Sequence, residues 1–186
     1  MGICQTKFTK YENKDINYDE VPMLETLFKN VTKDARIVDI YDGDTFTAVV
    51  NIFEGDKQYV KVKTRTYGYD CPEMKPSTKN LDRDNEKKFA QLSKRIISDL
   101  ILNKTVKLDC MGNDKYGRIL CKVRLTLDNK EILLNDWMVE NSYGYSYTGD
   151  RKPEINYYDD HYIVKLKNKD GTLCEKRCEP DFNKTF

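Results

Sequence analysis

The chain has 186 residues and a mass of 21.9 kDa, room for one ordinary domain with tails and too little for a multidomain assembly. Hydrophobic residues make up 39% and aromatics 11%, with 13 Tyr and 7 Phe, which is enough to fill a core and excludes disorder of the whole chain. The 32 Lys and Arg against 31 Asp and Glu leave a formal charge of +1, which excludes capture of nucleic acid or membrane by net charge alone but not by a local patch.

The chain opens Met1-Gly2-Ile3-Cys4-Gln5-Thr6, a pattern for N-myristoylation of Gly2 with Cys4 placed for palmitoylation. An unmodified arm is an equal expectation, because so short a pattern arises by chance. A single myristoyl chain binds membranes at only about 10⁴ M⁻¹, so Cys4 is what would make a tether durable. No run approaches the ~20 apolar residues of a membrane span, and no apolar signal segment leads the chain. The protein is therefore expected inside a cell, in the cytoplasm or tethered to the cytoplasmic face of a membrane. There its six cysteines, Cys4, Cys71, Cys110, Cys121, Cys174 and Cys178, would remain thiols. Cys174, Cys178 and the single histidine, His161, are irregularly spaced, so free thiols are favoured over zinc ligation. Residues 1–34 are expected to form an arm, polar from Lys10 to Val21 and helical where Met23, Leu24, Leu27, Phe28 and Val31 recur.

From Arg36 the pattern changes to that of strands. Ile37–Ile40, Thr45–Ile52 and Tyr59–Tyr67 are separated by turn signals at Asp42-Gly43 and Glu54-Gly55-Asp56, which predicts a three-strand meander. Residues 83–102 then place Phe89, Leu92, Ile96, Ile97 and Leu100 on one face of an amphipathic helix. Strand signals return at Thr105–Met111 and Ile119–Leu127, and a second helix fits Ile132–Asn141, burying Leu134, Trp137 and Met138. The order predicts a mainly β, α+β domain over residues 35–150: a five-stranded OB-type barrel with two to three helices. Such barrels bind oligonucleotides in many unrelated proteins. The tail, residues 151–186, shows no clean period. Charge also segregates, with 13 Lys and Arg against 6 Asp and Glu over residues 57–107, while both ends are balanced.

Three polar clusters fall at strand ends. Asp42-Gly43-Asp44-Thr45 is by itself a hairpin turn. Arg65 precedes Asp70-Cys71-Pro72-Glu73, where two carboxylates flank a rigid proline bend. Asp114-Lys115-Tyr116-Gly117-Arg118 delivers a second arginine at the start of the fifth strand. Together they suit phosphodiester hydrolysis, which needs a hard cation, forked donors for the transition-state charge and a group to handle water. Asp44 and Asp70 can supply oxygen ligands for Ca²⁺, with a backbone carbonyl and waters completing the shell. Arg65 and Arg118 supply planar donor pairs matched to phosphate oxygens, and Glu73 is left for the water.

Asp-Gly-Asp-Thr, Arg-x4-Asp-x-Pro-Glu and Asp-Lys-Tyr-Gly-Arg, in this order around one amphipathic helix, resemble the staphylococcal (thermonuclease-type) nuclease family over about residues 35–150. The resemblance implies a Ca²⁺-dependent endonuclease that cleaves DNA and RNA with little sequence preference and leaves 3′-phosphates. By motif position, Asp44 and Asp70 correspond to the metal carboxylates and Cys71 to the residue whose carbonyl binds the metal. Arg65, Glu73 and Arg118 correspond to the catalytic set. Lys115 and Tyr116 correspond to contacts with a terminal phosphate and nucleotide, and Tyr147 to a pocket tyrosine that packs on a base. A monomer acting on DNA or RNA is expected. The family also contains members that have lost catalytic residues and persist as binding modules, and a non-catalytic nucleic-acid-binding domain is the rival reading. The family's long C-terminal helix has no clear counterpart after Pro153.

Overall fold

Alternation of buried and outward side chains sets the barrel. The computed structural model describes residues 26–52, 57–167 and 170–186. Strand β1 (Lys29–Ile40) buries Ala35, Ile37 and Ile40, and β2 (Thr45–Asn51) buries Phe46, Ala48 and Val50. β3 (Tyr59–Thr66) turns Thr64 and Thr66 inward, and its last turn leads into the short β4 (Gly68–Asp70). β5 (Thr105–Asn113) buries Val106, Leu108 and Cys110, and β6 (Ile119–Leu127) buries Ile119, Cys121 and Val123. The strands follow the order β3-β2-β1-β5-β6, and parallel pairing of β3 with β6, Arg65 opposite Leu120, closes five of them into the predicted OB-type barrel. A further strand, β7 (Lys130–Leu133), extends the sheet beyond β6.

Helix α1 (Arg83–Ile101) lies between two apolar clusters. Its Leu92, Ile96, Ile97, Leu100 and Ile101 enter the barrel core. Each such side chain contributes about 1.5–3 kcal/mol by leaving water. Phe89 instead meets Tyr157, Tyr162 and Phe182 at ring-centroid distances of 5.9, 5.3 and 5.3 Å. These aromatics belong to the C-terminal region, where β9 (Glu154–Tyr157), β10 (Tyr162–Lys167) and β11 (Leu173–Cys178) form an antiparallel sheet in the order β11-β10-β9. Before them, α2 (Leu134–Glu140) leads to β8 (Tyr145–Tyr147), which pairs with β4.

Three differences from the sequence reading have physical causes. The helix expected at Met23–Val31 lies partly outside the described residues, but Lys29–Val31 are strand. There Val31 and Thr32 pair with Cys110 and Asp109 of β5, and Asn30, at φ 57°, absorbs the bulge. The second helix begins at Leu134 because Ile132 and Leu133 pair with Leu125 and Arg124 of β6. The tail is a sheet whose outer strand exposes five of its six residues, so it carries no alternation to read. Gly2 and Cys4 lie outside the described residues.

Candidate active site

Strands β2, β3 and β4 converge at one end of the barrel and fix the floor of a cavity of about 650 Å³. The Asp42–Thr45 bend ends β1 and begins β2, with the amides of Tyr41 and Asp42 donating to the Thr45 carbonyl. Gly43 is required there by close approach. A Cβ at that position would stand 2.6 Å from Cys71 Sγ and 2.7 Å from Ser93 Cβ. The Tyr69 hydroxyl donates to the Gly43 carbonyl at 2.8 Å, fastening the bend to β4. The motif thus presses the backbone against the core and leaves the Asp44 side chain facing the cavity.

Arg65 bridges the floor. Its Nη1 donates to Asp44 Oδ1 and its Nη2 to Asp70 Oδ1, each at 2.5 Å, with only 16% of the side chain exposed. Other donors hold the two carboxylates further. Thr45 Oγ1 donates to Asp44 Oδ1 at 2.8 Å and the Cys71 amide to Asp44 Oδ2 at 3.1 Å. Asp70 Oδ2 accepts from the Tyr145 hydroxyl at 3.0 Å and from Lys152 Nζ at 2.7 Å. Burial pushes the Asp44 carboxyl well above its usual range, reinforced by the charges of Asp42 and Asp70 and opposed by Arg65. Burial also opposes ionisation of Asp70, but its hydrogen bonds with Asp44, Lys152 and Arg65 hold it down at about 2.

The second arginine comes from the rim. Asp114 organises the turn between β5 and β6, its Oδ1 accepting from the amides of Tyr116 and Arg118 at 2.8 and 3.0 Å. Gly117 supplies the positive φ of 78° that closes the loop. Burial works against the charge on Asp114, yet the hydrogen bonds from Arg118 and Tyr116 keep its carboxyl below the usual range. Asp114 Oδ2 in turn accepts from Arg118 Nε at 2.7 Å, and Arg118 Nη1 donates to Thr45 Oγ1 at 3.3 Å. The two guanidinium groups are therefore linked through Thr45 and Asp44. The Tyr116 ring, 72% exposed, lies beneath Lys115 Nζ at 5.1 Å and the Arg118 guanidinium at 5.4 Å.

Glu73 stands half-exposed at the lip of the cavity. Its side chain is 55% exposed and accepts from Lys152 Nζ at 2.6 Å, while its amide donates to Glu86 Oε1 at 3.1 Å. Glu86, near the start of α1, thus ties the bend after Pro72 to the helix. The cavity is lined by Arg65, Glu73 and Arg118, by Asp44, Asp70 and Cys71, and by Lys115, Tyr116 and Tyr147, so all nine residues singled out in the barrel region meet there. Cys71 contributes backbone only. Its thiol is buried with Sγ 3.4 Å from the Tyr143 carbonyl, and burial together with Asp44 and Asp70 pushes its pKa far up.

Four further residues contribute that sequence reasoning did not single out for the site. Thr45 links the arginines, Tyr145 holds Asp70, Glu86 anchors the Glu73 bend, and Lys152 spans Asp70 and Glu73. A Tyr-x-Tyr repeat on β8 is the signal that could have drawn Tyr145 in beside Tyr147. Asn135 supports the floor from behind, taking the Val123 amide on Oδ1 at 2.8 Å and donating to the Tyr67 carbonyl at 2.7 Å.

The donor set suits a hard cation, since Asp44 and Asp70 bring only oxygen and the charge of Asp44 is held against burial and against its acidic neighbours. Among the described residues, no group of three or more His, Cys, Asp or Glu side chains is arranged to hold a metal alone, so backbone carbonyls and waters would complete a shell.

Residues 63–169 match the family described as staphylococcal nuclease homologue. A relative from Haemophilus influenzae, named as an uncharacterized endonuclease, is 32% identical over 112 residues. The match covers 60% of this chain and 51% of that relative, so the chain spans about half the relative's length.

Proposed function

The chain belongs to the family of staphylococcal nuclease homologues, and from that premise we propose that it is a Ca²⁺-dependent nuclease, hydrolysing phosphodiester bonds of DNA and RNA with little sequence preference and leaving 3′-phosphates. The observation that carries this reading is the convergence of two guanidinium groups, linked through Thr45 and Asp44, on one cavity with Asp70 and Glu73. Asp44 and Asp70, with the Cys71 carbonyl, would hold Ca²⁺, which supplies charge neutralisation to a phosphate and orients water.

The chain's own residues divide the remaining work. Arg65, rigid between two carboxylates, presents its donors from the floor. Arg118, positioned by Asp114, presents its own from the rim. Two forked cations on either side of a phosphate stabilise charge that grows on its non-bridging oxygens during in-line displacement, and they do so without reorganising. Glu73 is exposed enough to reach a water and is the candidate for ordering or deprotonating it. Tyr116 and Tyr147 offer ring faces to bases, a mode of contact tolerant of sequence. β3 continues outward from Arg65 with Lys63 and Lys61 exposed on the same side of the strand, a cationic edge suited to the phosphates that flank the reacting one.

Digestion of plasmid DNA and an RNA transcript in Ca²⁺, Mg²⁺ or chelator tests the proposal. Cleavage of both polymers in Ca²⁺, loss with chelator, and products that accept label at the 3′ end only after phosphatase treatment are expected. Binding of either polymer without cleavage in any metal would instead make the chain a binding module.

A further inference from the structure

Lys152 belongs to none of the three polar motifs that meet in the cavity. It sits in the segment between β8 and β9, and both strands are pinned: β8 to β4 through the Gly68–Tyr147 and Asp70–Tyr145 pairs, and β9 to β10. The segment is thereby drawn across the cavity mouth, and Lys152 Nζ lies 2.7 Å from Asp70 Oδ2 and 2.6 Å from Glu73 Oε1. Its ammonium joins a carboxylate of the floor to the acidic residue of the lip.

Asp44 Oδ1 and Asp70 Oδ2 each already accept two hydrogen bonds, so a divalent cation that takes either oxygen must loosen one of its donors. The candidates differ in how firmly they are held. Thr45 and Tyr145 are buried, and Arg65 is clamped by both carboxylates with 16% of its side chain exposed. Lys152 is 46% exposed, touches Asp70 through a single oxygen, and carries its charge on a flexible stem that water solvates well. It is the donor most easily released. Its charge also repels a divalent ion arriving at Asp70.

We infer that Lys152 is a built-in counter-cation that shares Asp70 with the divalent ion and is displaced by it, so that this lysine sets the metal affinity of the site. The inference rests on the reading of Asp44 and Asp70 as metal carboxylates. Lys152 is a positioning residue in this account: it holds Asp70 and Glu73 near one another until the ion takes over the carboxylate. Removing it leaves Asp70 paired with Arg65 and Tyr145 and lowers the barrier to the ion.

Calorimetric titration of the full chain with CaCl₂, without nucleic acid, reads the effect directly and independently of turnover. Lys152→Met, which keeps the stem and removes the charge, is expected to bind Ca²⁺ about tenfold more tightly than the parent, the size of one close charge contact near a protein surface. Lys152→Arg should remain near the parent. Lys165→Met serves as the control for loss of one positive charge, since Lys165 pairs with Glu154 on the appended sheet, and it should change the affinity little. Thermal melting of each variant establishes that the comparison is between folded proteins. Unchanged or weaker Ca²⁺ binding by folded Lys152→Met, beside measurable binding by the parent, overturns the role of Lys152 while leaving the metal reading intact. Absence of Ca²⁺ binding by both proteins overturns the metal reading, and this inference with it.

Discussion

The floor and the rim of the cavity are built on opposite principles. On the floor, Asp44 and Asp70 are buried and every oxygen is engaged by Arg65, Thr45, Tyr145, Lys152 or the Cys71 amide. On the rim, Lys115 and Tyr116 stand in solvent on a turn organised by one aspartate. Buried charges hold a geometry firmly because losing one partner strands the other, whereas exposed side chains rearrange cheaply. The floor is therefore suited to fixing reacting atoms, and the rim to accepting varied substrate. Arg118 belongs to both, anchored on the rim by Asp114 and reaching the floor through Thr45.

The largest effects should come from breaking the floor. Arg65→Ala is expected to lower turnover by about 10³-fold and also to cost about 3 kcal/mol of stability, because Asp44 and Asp70 lose their shared cation. Arg118→Ala should lose turnover by about 10²–10³-fold while denaturant melts stay within about 1 kcal/mol of the parent, since its partner Asp114 keeps the amides of residues 116 and 118 as donors. Equal stability losses for the two variants would erase the distinction between floor and rim.

Asp44→Asn should separate function from stability. Burial and the charges of Asp42 and Asp70 raise the Asp44 pKa, so its ionised form works against the fold. A raised carboxyl contributes stability below the ordinary value of 3.8 and loses it as pH rises through the folded value, so in chelator the asparagine variant should melt higher than the parent near neutral pH. That advantage should shrink as the pH falls through the raised value. Asp70 has the opposite sign. Its contribution is present above the ordinary value of 3.8 and is lost as pH falls toward about 2. A variant melting below the parent at neutral pH in chelator would show that Asp44 is not under electrostatic load.

The smallest effect is expected on the rim. Tyr116→Ala should weaken oligonucleotide binding by about 1–3 kcal/mol, the scale of one base stacked on an aromatic ring, and leave turnover at saturation close to the parent. A loss confined to turnover would place Tyr116 with the reacting atoms instead.

Much of this arrangement was legible in the sequence because the residues that matter are punctuated by turns. Asp-Gly-Asp-Thr, the proline bend after Asp70 and the Asp114–Arg118 turn each interrupt a clear strand period, and α1 and four of the five barrel strands lie close to their expected limits, while β1 begins at Lys29 rather than at Ile37. Elements too short to show a period were lost: β4 and β8 have three residues each. The appended sheet was lost for another reason. Tyr157, Tyr162 and Val164 are buried against the Phe89 side of α1, while β11 faces solvent and reads as a polar loop. The hairpin turn at Asp42-Gly43 is where the sequence places it, but nothing local shows that the missing side chain of Gly43 admits Cys71 and Ser93. Lys152 carries no local signal at all. Its position depends on β8 and β9 being pinned on either side, a relationship that exists only once the chain is folded.

The central claim is that the cavity hydrolyses phosphodiesters through two guanidinium groups held on one floor network. Single-turnover cleavage of an end-labelled oligonucleotide in Ca²⁺, by the parent and by Arg118→Ala, tests it most directly. The account predicts cleavage by the parent, with the variant binding the strand comparably but cutting about 10²–10³-fold more slowly. Cutting by Arg118→Ala at the parental rate would contradict it.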